Sequence, residues 1–583
     1  MILVFGGTTE GRKAATELEE AGQLFYYSTK TGEQELTLRH GKRVDGAMDA
    51  AAMEAFCRRH DIRLMVDAAH PFAAQLHATV SEVAGRLGIP AIRFERTYVE
   101  RSEDIVWCED YDDAIARIDC RTLLATTGVQ SIGRLRALEE KGVRVFYRIL
   151  PRESSLRLAR QQGVDERQLC FYHDGADISV DADAILLKES GDSGGFSEKV
   201  DAARRRGMTV YAIRRPPTPP GFLCVNGEHG LRRMTERLLP SFFPLKSGLT
   251  TGTCATAAAV AQVRRLTSGK ELPEVPVLLP NGETISVAVG YGKDYAYAVK
   301  EAGDDPDVTD GLEVRAHVEP ADSFCVRGGE GVGVFTLPGF DFPPGEPAIN
   351  RGPREMLRKN MLAMGAPPLC IIISVPDGEQ VALKTFNPRL GIEGGISIIG
   401  VSGIVKPFSE EAFIASIRKC MEVAKATGTD RVVINSGAKS ERYVRDCYPE
   451  LPRQAFVEYG NYIGATLDMA HDLHFPQVTL GVMLGKAVKL AAGELDTHSR
   501  RAVMDKVFVG KMLDEAGCVL DLERLTLARE LWTLVPEKKR EAFCRVVISH
   551  CLACCQPHVP QAELTILLIA DDGTIHSLPR EHR

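Results

Sequence analysis

Short apolar runs alternate with longer amphipathic stretches from Met1 to Ile213, and that alternation leaves few folds open. Residues 2–5, 64–67, 123–126, 143–149, 184–188 and 209–213 read as strands, and 12–21, 73–87, 132–141 and 198–206 read as helices. Strands separated by helices need crossover connections, so the expected fold class is α/β with parallel sheets. The stretch 90–98 separates two such sets. It predicts two Rossmann-like parallel-sheet lobes, 1–95 and 96–243, with a cleft between them.

Beyond these sets the texture changes. Arg215-Pro216-Pro217-Thr218-Pro219-Pro220-Gly221 is a breaker cluster, and 239–248 is a second one rich in Pro, Ser and Gly. The main boundary is expected near 243, leaving 244–583 as a mixed α/β region of two subdomains. There, 275–279 and 284–289 flank Asn281-Gly282, a pair suited to the positive φ angles of a type I′ hairpin turn. A chain of 583 residues exceeds one hydrophobic core, so about three to four domains are expected.

A net charge of −8 disfavours a nucleic-acid partner, so basic groups must act locally, in pockets. No run reaches the ~18 apolar residues of a membrane span. The opening 1–6 lacks the charged segment of a secretory signal. Fifteen cysteines without a repeating spacing argue for reduced thiols and a cytoplasmic protein. Assembly as a homo-oligomer stays open.

In the N-terminal part, Gly6-Gly7-Thr8-Thr9-Glu10-Gly11 follows the first strand and opens a helix. Gly6 and Gly11 fit the first and third glycines of a dinucleotide fingerprint, and Thr8 replaces the second. The bland alternative is a glycine-rich turn of any α/β protein. Ser28 and Lys30 stand near the end of the second strand, where an NAD site places an acid, which points to NADPH. His70, in Ala69-His70-Pro71-Phe72, ends a strand and is either catalytic or structural. Thr127, Gly128 and Lys188 follow later strands in the same manner, and Arg148, Arg152 and Arg214 suit carboxylate partners. Together these segments, with Lys199, resemble the precorrin-6A reductase family over about residues 1–240. The resemblance implies NADPH- or NADH-dependent reduction of a macrocycle double bond, with hydride going to one ring carbon and a proton to its neighbour. His70 and Lys188 are the catalytic candidates. The loop 189–195 is longer than the family's compact form. A short-chain oxidoreductase is the rival; the one Tyr-x-x-x-Lys spacing in 1–240, Tyr26 to Lys30, falls at the end of the second strand, not on the helix face such an acid–base pair needs.

In the C-terminal part, Thr251-Gly252-Thr253-Cys254 runs into an alanine-rich helix, whose N-terminus is a natural anion site. Cys254 is either a nucleophile or a buried thiol. Glu301-Ala302-Gly303-Asp304-Asp305-Pro306-Asp307 gathers carboxylates for a hard cation or for loop capping. Gly329-Glu330-Gly331 would let a backbone approach a ligand, and Asp496-Thr497-His498-Ser499 follows a lysine-rich helix. The tail 550–558 has Cys and His for zinc, with core packing the stronger reading and no resident metal expected.

The order of these motifs, with 344–350, 394–400 and 403–407, resembles the cobalt-precorrin-5B carbon-1 methyltransferase family from about 246 onward. The resemblance implies S-adenosylmethionine as methyl donor, held by Thr251, Gly252, Thr253, Gly329, Glu330 and Gly331 without the common Rossmann methyltransferase fingerprint. It also implies cobalt-containing tetrapyrrole partners, with cobalt belonging to the substrate and Asp304 and Asp305 facing it. His498, Asp496 and Glu301 are the candidate bases. The rival keeps the reductase and makes 246–583 a macrocycle-binding scaffold without chemistry.

Overall fold

The computed structural model describes residues 1–30, 32, 34–171, 178, 180–498, 504–523 and 525–578. Ser499 lies outside them. The chain divides into two units: Met1–Ser247 with Pro276–Ser286, and Gly248–Val275 with Val287–Arg583.

Unit 1 carries β1 (Ile2–Phe5), β2 (Phe25–Thr29), β3 (Gly41–Asp45), β4 (Leu64–Asp67), β5 (Ala91–Phe94), β6 (Val106–Cys108), β7 (Thr122–Ala125), β8 (Arg144–Ile149), β9 (Leu169–Phe171), β10 (Ala184–Lys188), β11 (Thr209–Ile213) and β12 (Phe222–Val225). They form two six-stranded sheets, ordered β12-β5-β4-β1-β2-β3 and β6-β11-β10-β7-β8-β9. Every pair is parallel. The first order is the dinucleotide-binding 3-2-1-4-5-6 with β12 as its sixth strand. Helices cover both faces, which is why β1 is apolar throughout: Ile2 and Val4 enter one core cluster, Leu3 and Phe5 the other.

The second sheet occupies only 106–213. The chain then returns to the first sheet through β12 and the helix Glu228–Leu238, and Phe242 and Phe243 join that sheet's core. A span of 96–243 is therefore not one lobe, because β12 pairs with β5 and becomes the edge strand of the first sheet.

The hairpin Glu274–Leu278 and Thr284–Ala288 forms at the expected place, with a different turn. Gly282 has φ +87°, but Asn281 is not at positive φ, so this is no type I′ turn. Gly282 N–H donates to Leu279 O at 3.0 Å around Pro280-Asn281, a three-residue loop closed by a left-handed glycine. Beside it, Glu283 accepts from the N–H groups of Glu228 and His229 at 3.1 and 2.9 Å. It thus caps a helix that has no cap of its own, since Gly227 supplies no side chain.

Unit 2 has two main sheets. The first runs Gly290–Tyr291, Ala296–Val299, Glu313–Pro320, Leu369–Ser374 and Cys325–Gly328, with the buried helix Thr251–Ser268 against it. Its last two strands are parallel and in register at Cys325 and Cys370, which form a disulfide where reduced thiols were expected. Adjacent register brings the two Cα atoms to 4.6 Å, within bonding reach. The second sheet has the order Phe456–Glu458, Arg431–Asn435, Gln477–Met483, Glu563–Ile569 and Ile575–His576, parallel except for the last pair. In chain order this is 2-1-3-4-5, a second doubly wound arrangement. Among the described residues, no helix is long and apolar enough to cross a membrane.

Replacing Glu283 with Ala removes the cap of Glu228–Leu238, at a cost of about 1–2 kcal/mol. Hydrogen exchange should show faster exchange at the amides of Glu228 and His229, with the parallel strands of unit 1 unchanged.

Candidate functional site

Doubly wound sheets open their ligand crevices at the carboxyl ends of the strands, where the strand order reverses. In unit 1 those points lie between β1 and β4 and between β7 and β10. At the first, Thr8 caps the helix Thr9–Glu19 by accepting from Gly11 N–H at 3.0 Å, while its hydroxyl donates to Ala68 O at 2.6 Å. One side chain thus ties the ends of both strands. A Cβ at Gly6 would lie 2.1 Å from Tyr27, and one at Gly11 would lie 2.6 Å from it, so the protein's own packing requires both glycines. Gly7, at φ +91°, has open space outside it. Its N–H is shared by Tyr27 Oη and Gln34 Oε1 at 3.2 and 3.1 Å. Ser28 is buried, with its carbonyl accepting from Gly6 N–H, and Lys30 is exposed. Thr29 donates to Asp45 at 2.9 Å, so an acid does stand near this strand end, contributed by β3.

Thr126 follows β7 and donates to Leu186 O on β10. Thr127 pairs with Ser131 at 2.6 Å, and Gly128 takes φ +87°. Lys188 ends β10 with its ammonium 5.1 Å from the Phe72 ring centre and 5.8 Å from that of Tyr111. Phe72 belongs to the loop of His70, so the two catalytic candidates meet. Burial, reinforced by Arg96 and Lys188, pushes the His70 pKa down to about 3. The ring is therefore neutral, and because Nδ1 accepts from Phe72 N–H at 3.2 Å, its proton sits on Nε2. His70 can donate a hydrogen bond at neutral pH but is no acid there. The Lys199 ammonium donates to Gly194 O, in the loop after β10, at 2.8 Å, and burial with Arg148 brings its pKa down to about 8.

The sequence reading missed the groups that join these loops. Glu10, expected to contact a cofactor, instead pairs with Arg96 at 2.7 Å and accepts from Ser193. Burial alone would raise its pKa, but the Ser193 hydroxyl and the guanidinium bring it below the usual value. Arg96 also donates to Ser190 O at 2.8 Å. The long loop 189–195 is thus fastened to the first sheet's crevice. Behind it, buried Asp67 binds His77 at 2.6 Å and Arg93 at 2.9 Å, and His77 Nε2 reaches His70 O at 3.1 Å. The signal was present: Arg93 interrupts an otherwise apolar, fully buried strand. Arg148 is buried, Arg152 is exposed, and Arg214 pairs with Glu109.

In unit 2 the motifs gather around 394–400. Thr251 Oγ1 accepts from Ile399 N–H at 2.9 Å, and Thr253 donates to Gly403 O at 2.6 Å. Gly333 N–H and Ile396 O, and Ile396 N–H and Gly331 O, form reciprocal bonds. A Cβ on Gly331 would lie 1.9 Å from Val375 O, and one on Gly395 would lie 2.2 Å from Gly331 O. These glycines therefore let backbone approach backbone. A Cβ on Gly252 would lie 2.8 Å from Pro353, whereas Gly329 donates to Ile373 O and Glu330 is exposed. Cys254 is buried. In the carboxylate loop, Asp305 accepts from Phe408 N–H, Asp307 binds Lys300 and Thr309, and Asp310 accepts from Ala302 N–H. Asp304 and Glu301 are exposed in the same loop. Among the described residues, no cluster of His, Cys, Asp and Glu could hold a metal. The tail's His550 faces Glu515, His558 faces Asp468, and Cys551 and Cys555 are core residues.

The second sheet of unit 2 has its own reversal, between Arg431–Asn435 and Gln477–Met483. Asn435-Ser436-Gly437 leaves the first of these strands, with Gly437 at φ +137° donating to Asn435 Oδ1 at 3.0 Å. Glu458 ends the neighbouring strand, and burial raises its pKa against the pull of Arg389. Lys486 lies 5.4 Å from the Tyr459 ring centre, and burial lowers its pKa to about 8 despite Glu458. Asp496 accepts from His498 N–H at 3.1 Å, and its charge is felt at Lys486. Asp496 and His498 therefore belong to this crevice, while Glu301 belongs to the other sheet's loop. An apolar run ending in Asn-Ser-Gly, with an acid one strand later, was legible in the sequence and passed unnoticed.

Doubly wound sheets in both units, each with a crevice at its strand reversal, give a two-part protein of the nucleotide-binding α/β class. Comparison with known proteins gives the particular kind. Residues 1–230 match the family model "Precorrin-6x reductase CbiJ/CobK", and 241–407 match the family model "CbiD". The cobalt-precorrin-5B C(1)-methyltransferase of Prosthecochloris aestuarii is 41% identical over 355 residues, covering 57% of this chain and 95% of that protein. The enzyme of the same description from Brucella canis is 42% identical over 303 residues, covering 50% and 82%. The chain belongs to the cobalt-precorrin-5B C(1)-methyltransferase family and carries a precorrin-6x reductase region ahead of it. Among solved structures, the cobalamin biosynthesis protein cbiD from Archaeoglobus fulgidus is 32% identical, covering 44% of this chain and 83% of that one, with TM-score 0.26. A CobK precorrin-6A reductase is 20% identical, covering 41% and 96%, with TM-score 0.34.

Arg96→Ala leaves Glu10 buried without its partner and should destabilise unit 1 by about 3–5 kcal/mol in its thermal transition. The rate of reduction should be flat from pH 5.5 to 7.5 and fall through about pH 8 as Lys199 loses its proton. Lys199→Arg should lower the rate at every pH and remove that fall from the pH–rate profile, because a guanidinium keeps its proton and so cannot supply it.

Proposed function

We propose that this chain carries out two consecutive steps of corrin-ring assembly. Residues 246–583 methylate cobalt-precorrin-5B at carbon 1, giving cobalt-precorrin-6A, and residues 1–240 reduce that product to cobalt-precorrin-6B. Likeness to a methyltransferase over 95% of its length carries the first half of this reading. The reductase model matched over residues 1–230, on a unit with two opposed crevices, carries the second.

In unit 1 a bound nicotinamide supplies hydride, and the outward face of Gly7 at a helix start fits its pyrophosphate. Lys30 is our candidate for a 2′-phosphate and Asp45 for the ribose hydroxyls, so both NADPH and NADH are tested. Lys188 and the Nε2–H of His70 orient the anionic macrocycle, and the Lys199 ammonium supplies the proton that completes the reduction. Charge-assisted hydrogen bonds to substrate carboxylates are worth about 1.5–3 kcal/mol each.

In unit 2 bound S-adenosylmethionine supplies the methyl group. We place it at the reversal of the second sheet, with Asn435, Ser436 and Gly437 at its carboxylate end and Glu458 at its ribose hydroxyls. This moves it away from Thr251–Thr253 and Gly329–Gly331, which belong to the other sheet of unit 2, whose mostly antiparallel order has no such reversal. Holding donor and acceptor in line, with water excluded, supplies about 7–11 kcal/mol at best. Asp496, His498 and Lys486 are the groups that can take a proton as the methylated ring settles.

Purified protein incubated with cobalt-precorrin-5B and S-adenosylmethionine should gain the mass of one methyl. It should gain two further hydrogens only when NADPH or NADH is added. Absence of methyl gain from folded protein would support a scaffold without chemistry. Glu458→Gln should raise the KM for S-adenosylmethionine about tenfold, the equivalent of one charge-assisted hydrogen bond, and leave the reduction rate unchanged.

A further inference from the structure

Unit 2 contains a second concavity that none of the proposed catalytic groups lines. It is an open groove of about 910 Å³, large for a small-molecule site, whose usual range is about 300–1,000 Å³. One wall is the edge strand Cys325–Gly328, which supplies Arg327. The other is the helix Arg351–Ala363, which supplies Arg351, Arg354 and Arg358. Arg351 and Arg358 are two turns apart on one face, as helical periodicity requires. The floor is apolar, with Phe324, Val326, Val332 and Phe342.

The four guanidiniums are not equally engaged. Arg354 donates to Ile349 O at 2.8 Å and pairs with Glu346 at 3.1 Å, stacked 3.9 Å above Phe342. Arg351 lies 3.5 Å from Asp341. Arg327 and Arg358 are exposed and make no ion pair or side-chain hydrogen bond among the described residues. Glu355, the other carboxylate of the lining, sits three residues from Arg358 on the same helix, yet no ion pair forms between them. A solvated helix face normally satisfies its charges through such i, i+3 or i, i+4 neighbours. Here the cations are left open above an apolar floor.

We infer that this groove holds one side of the tetrapyrrole substrate, with part of the ring face on the apolar floor and ring-edge carboxylates on Arg327 and Arg358, and that the carbon to be methylated projects beyond it. A flat apolar body rimmed by acetate and propionate groups is the ligand chemistry that such a lining recognises. Guanidinium forks bind carboxylates in two-pronged fashion, and their stacking on aromatic rings suits a conjugated macrocycle. The groove also borders the tight glycine packing around Gly331, since Gly328 and Val332 line it. That packing gives the wall rigidity.

This inference rests on the methyltransferase reading, and the two are separated by one set of measurements. Cobalt-precorrin-5B is titrated into the full chain and followed by its visible absorbance, and methyl transfer is measured on the same samples. Arg327→Gln and Arg358→Gln should each raise both the Kd and the KM for the macrocycle about tenfold, with kcat and the KM for S-adenosylmethionine within twofold of wild type. The double variant should lose more, and added salt should weaken the wild type more than it weakens the variants. Lys270→Gln, an exposed charge remote in sequence, is the control and should change nothing. Unaltered thermal transitions would show that the variants fold. If wild-type protein methylates the macrocycle and the double variant does so with an unchanged KM, the groove is not the substrate site. If wild-type protein neither binds nor methylates it, the methyltransferase reading itself falls.

Discussion

The buried pair of Glu10 and Arg96 is the interaction on which the reductase region depends. Each of its two sheets offers a crevice at its own strand reversal, and neither crevice alone brings a lysine to the loop of His70. Arg96 stands just past β5 of the first sheet, yet it holds the carbonyl of Ser190 from the loop that follows β10 of the second sheet. A buried charge needs a partner, and Glu10 provides one from the helix that opens the nucleotide loop. The phosphate loop and the loop after Lys188 are therefore fixed by one guanidinium. The cost of burying it is offset only while both are in place.

Much of this region was legible in the sequence, because parallel strands buried on both faces must be apolar end to end. Six such runs placed both sheets. The strand Phe222–Val225 was not legible, since it follows a proline-rich stretch and its partner lies far back along the chain. His70 was correctly placed at a strand end, but its charge state depends on Arg96 and Lys188, neighbours that only the fold supplies. Glu10 looked like a ligand contact because it sits at a helix start, and its actual partner arrives from a distant loop.

The methyltransferase region taught the opposite lesson. Its motifs stood out, but what each glycine does depends on neighbours that only the fold supplies. A Cβ on Gly378 or Gly395 would meet Gly331 O, and one on Gly331 would meet Val375 O, at distances no Cβ tolerates, so these residues are conformational necessities of a tight core. The doubly wound sheet after Glu410 was missed because helices of differing length separate its strands. The disulfide between Cys325 and Cys370 depends on a strand register that no spacing rule reveals.

The hairpin tip Pro276–Ser286 belongs by its contacts to unit 1, though the sequence on either side of it belongs to unit 2. The polypeptide therefore leaves the reductase at Ser247, re-enters it briefly, and leaves again. Genetic modules and physical modules do not coincide in this protein. A gene cut at the apparent linker would code for a reductase missing a piece of itself, and the severed piece would travel with the other enzyme. A reductase freed in this way would lose the acid that closes the start of the helix Glu228–Leu238.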